Sequence, residues 1–203
     1  MSIDRRRNKH NRKPKKVILI SYEGNNKTEK NYFDNFSGRN KEFVIKSVPG
    51  NETDPINLVK QTIKQVKSLA LVLSDDDMAF CVFDTDTTIE KNKQIDVAIK
   101  LAKKHKIVPI ISSPCVEIWF LLHYEYTTSV MSNEDVINKL VKHYSKYEKN
   151  CNIYEDLKDK TLIAIKNAKK LEKYQKENDK ILQKVETNPY TEMYKIIEIL
   201  KKL

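Results

Sequence analysis

The residues best suited to chemistry are acids, and they fall where apolar runs end. "AFCVFD" (79–84) stops at Asp84, and Asp86 follows two positions later in "CVFDTDTT". "VILISYE" (17–23) stops at Glu23, with Gly24 next and Glu29 closing "EGNNKTE". "IVPIIS" (107–112) leads into "SSPCVEIWFLLHY", which carries Glu117. Each acid alone has an ordinary explanation. Asp favours turns, and Asn26-x-x-Glu29 has the spacing of a capping box. Glu117 falls in the first turn after a Ser113 cap and Pro114, where a helix dipole favours an acid. Together they call for a cation, because several carboxylates at one rim repel one another and raise their pKa values. A hard divalent ion, Mg²⁺ or Mn²⁺, takes oxygen ligands and sits between carboxylates and phosphates. Two such ions about 4 Å apart would stabilise the attacking and leaving oxygens of an in-line phosphoryl displacement. The chain lacks the clustered His or Cys that zinc would call for.

The elements that must position these acids follow from hydrophobic patterning. Four apolar stretches, 17–23, 43–48, 79–84 and 107–112, predict strands, and three are near-continuous, as in strands covered on both faces. Helical patterns separate them. Asp54 and Pro55 supply an N-cap and a first helical position, followed by Ile56, Val59, Ile63, Val66 and Ala70 on one face. Ile95, Ala98, Ile99 and Ala102 form another face. The alternation predicts right-handed crossovers and a parallel, four-stranded α/β sheet. Ligands bind such sheets outside the carboxyl ends of the strands, which is where Glu23, Asp84, Asp86 and Glu117 gather. Beyond residue 130 the pattern is helical throughout. Val136, Ile137, Leu140, Val141 and Tyr144 share one face, and Met193, Ile196, Ile197 and Leu200 another. These faces either cover the sheet or serve docking and self-association. The predicted organisation is a basic, disordered arm (1–16), an α/β domain (17–129) and a helical extension packed on it (130–203).

Composition narrows the function classes. The net charge of +10 is local: residues 1–16 hold eight Lys/Arg and one Asp, leaving 30 basic and 27 acidic side chains elsewhere. Such an arm suits phosphate backbones bound without sequence preference, or serves as a solubilising tail. No apolar run approaches the roughly 20 residues of a membrane span, and no secretory signal opens the chain. Cys81 and Cys115 lie at apolar runs and read as reduced core thiols, and a cytoplasmic location is expected. With glycines only at 24, 38 and 50, no phosphate-binding P-loop can be drawn.

Glu at the end of a first strand and D-x-D at the end of a third resemble the Toprim domain of topoisomerases, bacterial primases and overcoming-lysogenization-defect nucleases. More closely, the chain resembles the RloB family of bacterial phage-defence proteins. The likeness runs through "ILISYEGNNKTEKNYFDNF", "TDP", "FDTD", "SSPCVEIWFLLHY" and "NPYTEMYKIIEIL". It implies a Toprim-like (Rossmann-like) fold in which Glu23, Asp84 and Asp86 hold metal and carry catalysis. Glu29 and Glu117 join as further ligands, although Glu29 is more widely spaced from Glu23 than the pattern has it, and Ser113 stands where relatives have Asn. The implied activity is Mg²⁺-dependent cleavage of DNA or RNA, transfer RNA among the candidates, in anti-phage defence and abortive infection. An ATPase of the ABC or AAA type is the implied partner. His123 fits the family segment, with packing and catalysis both open as roles.

Two rivals stand beside this. "VFDTDTT" also fits the first motif of haloacid-dehalogenase-like phosphatases, with Asp84 as nucleophile, Asp86 as acid/base and Ser112 as phosphate ligand. That reading leaves Glu23 unexplained and lacks the downstream strand ends that motif needs. The other is a non-catalytic nucleic-acid-binding or docking module on the same scaffold, since fold alone does not establish chemistry.

Overall fold

The computed structural model describes residues 15–24, 27–38, 41–50, 54–74 and 77–203. Most of the basic arm, and Asn26 of the expected capping box, lie outside the described residues. Lys16 does not belong to the arm, because it opens the first strand.

The strands are β1 (Lys16–Tyr22), β2 (Phe43–Pro49), β3 (Met78–Asp84), β4 (Val108–Ser113) and β5 (Tyr190–Thr191). They form one sheet in the order β2-β1-β3-β4-β5, parallel except for β5. The sheet therefore has five strands where four were expected. β5 pairs antiparallel with β4 through Ser112–Thr191 and Ser113–Tyr190. A two-residue strand has no room for a period-2 signal, which is why residues 130–203 read as purely helical.

The near-continuous apolar strands are buried on both sides, and their parity sorts the core into two layers. Ile18, Ile20, Tyr22, Phe80, Val82 and Ile110 face one layer, and Leu19, Ala79, Cys81, Phe83 and Ile111 the other. The second layer is covered by α2 (Pro55–Ser68) and α3 (Lys91–Lys104). Asp54 caps α2 as its sequence predicts, its side chain accepting from Asn57 N at 2.8 Å with Pro55 at the first position. α3 buries Ile95, Ala98, Ile99 and Ala102, the face read from spacing.

The first layer is larger. α1 (Thr28–Asp34), α4 (Glu117–Leu121), α5 (Asn133–His143), α6 (Tyr154–Leu157), α7 (Thr161–Glu177) and α8 (Met193–Lys202) contribute to it. Trp119 of α4 is fully buried and donates its indole N–H to the Tyr32 hydroxyl of α1 at 3.0 Å. Val136 and Leu140 of α5 are buried, as are Met193, Ile196, Ile197 and Leu200 of α8. The face at 136–144 packs on α4, with Ile137, Val141 and Tyr144 partly buried, and the face at 193–200 packs against β4 and α7. Cys81 and Cys115 are buried free thiols. No helix among the described residues is long and apolar enough to cross a membrane.

From β1 the chain crosses outward to β2 on one side, then returns past β1 to β3 and continues to β4 on the other. The winding reverses between β1 and β3. In a sheet of this kind the crevice at that switch point, outside the strand carboxyl ends, is where ligands bind.

Candidate active site

Glu23 and Gly24 leave the end of β1, and Asp84 is the last residue of β3, so the switch point itself carries two carboxylates. Asp84 has the parity of Phe80 and Val82 and faces the larger layer. Gly24 sits at φ +69°, a left-handed turn that costs glycine nothing. Asp86 also lies in the left-handed region, at φ 51°. For a non-glycine residue that conformation costs about 1 kcal/mol or more and persists only where its surroundings enforce it. They do so here: Thr85 N donates to Ser112 O at 2.9 Å and Asp86 N to Pro114 O at 3.0 Å. The Thr85 hydroxyl donates to Ser113 Oγ at 2.7 Å. Asp84 and Asp86 reach the same cleft because this turn redirects Asp86, and not by strand alternation.

Glu29 is buried in the first turn of α1. The helix has Lys27 at its N-cap position with no side-chain cap bond, and the Asn26 half of the capping-box reading lies outside the described residues. The opening of α1 is instead fastened to a distant loop. Asn150 accepts from Lys27 N at 2.6 Å through Oδ1, and its backbone N donates to Thr28 Oγ1 at 2.9 Å. Glu117 is buried in the first turn of α4, whose N-cap position is Val116. Ser113 does not cap that helix, because it ends β4 and bonds Thr85. The Tyr147 hydroxyl donates to Glu117 Oε1 at 2.9 Å.

All five predicted acids, Glu23, Glu29, Asp84, Asp86 and Glu117, line one cleft of about 220 Å³ with Thr28, Cys115, Asn133 and Lys149. Burial, opposed by Lys91 and reinforced by Asp86 and Glu29, pushes the Glu23 carboxyl up to about 8. Burial also takes Glu29 to about 8, with Glu117 adding to the effect. Asp84 is raised well above the usual carboxylate range by desolvation and by Glu23, Glu117, Glu29 and Asp86 around it. The Cys115 thiol is pushed up by burial and by Glu117 and Asp84, which leaves it a poor nucleophile.

The oxygens are short of donors. Glu23 Oε1, Glu29 Oε2 and Asn133 Oδ1 are buried without a hydrogen-bond partner, an arrangement that costs free energy unless a cation or water satisfies it. The donor set is almost entirely oxygen, which fits a hard divalent ion and not a thiophilic one. Among the described residues, no three His, Cys, Asp or Glu side chains converge tightly enough to enclose an ion as they stand.

Three participants had no signature in the sequence. Lys91 places Nζ 2.8 Å from Asp86 Oδ2 and 3.6 Å from Glu23 Oε1. Asn133, opening α5, donates from Nδ2 to Asp86 Oδ1 at 3.0 Å. Lys149 comes from the loop that also carries Tyr147 and Asn150. Asn133 and Lys149 come from segments distant in sequence, and Lys91 is near Asp86 in sequence but part of no motif. Two other sequence candidates move away from the chemistry. His123 is buried, its Nδ1 bonded to Trp119 O at 2.9 Å, and burial lowers its pKa to about 4. It does not line the cleft. Ser112 is buried and bonded to Thr191 Oγ1 at 2.9 Å, so it is not exposed to receive a phosphate as the phosphatase reading requires.

No curated protein and no solved structure matches the chain. A family model described as RloB-like protein matches residues 18–200, from the second residue of β1 into α8. The acids, the loops that set them and the helices that cover them all fall within that span, and the chain belongs to the RloB-like protein family.

Proposed function

We propose that this chain is a divalent-metal-dependent nuclease of Toprim-like fold that cleaves phosphodiester bonds of DNA or RNA, transfer RNA among them. One observation carries the reading. Five carboxylates from four segments meet at the switch-point crevice, where buried oxygens lack donors. Glu23, Asp84 and Asp86 would hold Mg²⁺ or Mn²⁺, with Glu29 and Glu117 completing one or two positions. When bound, the ion supplies a nucleophilic water of lowered pKa and neutralises charge on the phosphoryl oxygens. The chain's own residues do the rest. Asn133 and the Thr85 turn orient Asp86, Tyr147 fixes Glu117, and Lys149 places positive charge beside the acids.

Membership in the RloB-like family supports placing this activity in anti-phage defence, as the effector of a pair whose other member is an ABC- or AAA-type ATPase. The absence of any P-loop sequence in the chain agrees with nucleotide-driven sensing by a second polypeptide. Labelled DNA and RNA panels, incubated with Mn²⁺ or chelator, alone and with such an ATPase and ATP, test both statements. Cleavage that needs metal and falls about a thousandfold or more in Asp84→Asn is the expected result, since metal-held charge stabilisation is worth several kcal/mol. Equal behaviour of wild type and Asp84→Asn in every arm favours the non-catalytic docking module.

A further inference from the structure

One cation already sits among the acids. Lys91 opens α3, and its ammonium lies between Asp86 Oδ2 at 2.8 Å and Glu23 Oε1 at 3.6 Å, with 11% of its side chain exposed. An ammonium so enclosed is tolerated because two carboxylates compensate it. The two carboxylates are held differently. Asp86 is also fixed by Asn133 on its other oxygen and by its backbone N on Pro114 O, so it stays in place when Lys91 leaves. Glu23 Oε1 makes no hydrogen bond and has only the longer ion pair. Lysine is a compact charge on a flexible four-carbon stem, able to withdraw without moving its helix.

We propose that Lys91 is a placeholder cation, its ammonium occupying the seat between Glu23 and Asp86 that a divalent ion takes. The proposal rests on the metal-dependent reading above. Two positive charges do not share one seat between two carboxylates, so the ion displaces the lysine. Lys91 then has opposite effects in the two states. Without metal it bridges the two acids, and with metal available it competes and weakens binding. This also accounts for the open arrangement of the acids, with no three of them converged. A lysine that merely braced the site would act in one direction only, and its loss would loosen the acids and weaken ion binding.

Calorimetric titration of Mn²⁺ into the full chain separates these roles. Lys91→Met is expected to bind Mn²⁺ about tenfold more tightly than wild type, because a charge some 3–4 Å from both ligands no longer opposes the ion. Lys91→Gln, which keeps a donor and loses the charge, should shift the same way. In chelator both variants should melt below wild type, with the deficit closing on addition of Mn²⁺. A folded Lys91→Met or Lys91→Gln that binds Mn²⁺ equally or more weakly overturns the proposal and leaves the metal site standing. Wild type that takes up no Mn²⁺ overturns both. Acetic anhydride footprinting of wild type needs no variant: acetylation of Lys91 should rise severalfold on adding Mg²⁺, and an unchanged or lower yield contradicts displacement.

Discussion

Burial raises the Glu23 and Glu29 carboxyls from the usual 4.5 to about 8, with Lys91 opposing the shift at Glu23. Asp84 is displaced in the same direction, with burial the largest cause. Between those limits the folded form binds protons that the unfolded chain has released, so stability falls as pH rises from about 4.5 to about 8. Melting curves in chelator should show a lower Tm at pH 8 than at pH 5.5, and saturating Mn²⁺ should remove most of the difference by stabilising the ionised acids. A flat profile in chelator would mean that the acids are not crowded. The same reasoning makes Asp84→Asn a stabilising change in the metal-free protein. It keeps the side-chain shape and removes a carboxyl that four neighbours repel, so its Tm at pH 8 in chelator should equal or exceed that of wild type. The price of the site is stability, as is common where function requires like charges to meet.

At the scale of elements, α1 carries Glu29 but has no cap of its own, and Asn150 fastens its first turn from 122 positions away. Asn150→Ala removes the Oδ1 bond to the exposed Lys27 N and keeps the backbone bond to Thr28, so it should cost about 0.5–1.5 kcal/mol, which urea titration measures. Asp54→Ala, removing the cap of α2, should cost about 1 kcal/mol. Cleavage should fall with Asn150→Ala, which loosens the start of the helix carrying Glu29 by removing the bond to Lys27 N, and not with Asp54→Ala. Equal activity loss in both would reduce the Asn150 link to general stability. The two helices also show what the sequence could tell. Strands β1 to β4, the Asp54–Pro55 start of α2 and the buried face of α3 are written in local periodicity and turn chemistry, and all appear where the pattern puts them. Glu23, Asp84 and Asp86 were legible because strand ends are, while Glu29 and Glu117 stand in the first turns of α1 and α4. The left-handed Asp86 turn and the Asn133 contact across 47 positions were not legible, because they arise only when distant segments pack, and the Lys91–Asp86 pair is local but carries no motif. β5 escaped for the opposite reason, being too short to carry a pattern.

At the scale of the whole molecule, charge is divided between a basic N-terminal segment and an acid-lined cleft. Residues 1–14 hold six Lys/Arg, while Lys15 reaches back to Gly38 O and Lys16 begins β1. A truncation should therefore end at residue 14, sparing the sheet. Its nucleic-acid affinity should fall uniformly across sequences and its salt dependence flatten, since fewer counterions are released. An unchanged slope of log affinity against log salt would show that the segment does not touch phosphates. The central claim is that the crevice between β1 and β3 holds a divalent cation on the strand-end acids. Anomalous diffraction from crystals soaked in Mn²⁺ tests it most directly. A manganese peak is expected in the cleft with carboxylate oxygens of Asp84 and at least one of Glu23 and Asp86 at roughly 2.1 Å, as for a small hard divalent ion. A cleft without a manganese peak at saturating Mn²⁺, with Lys91 still bridging Glu23 and Asp86, would contradict it.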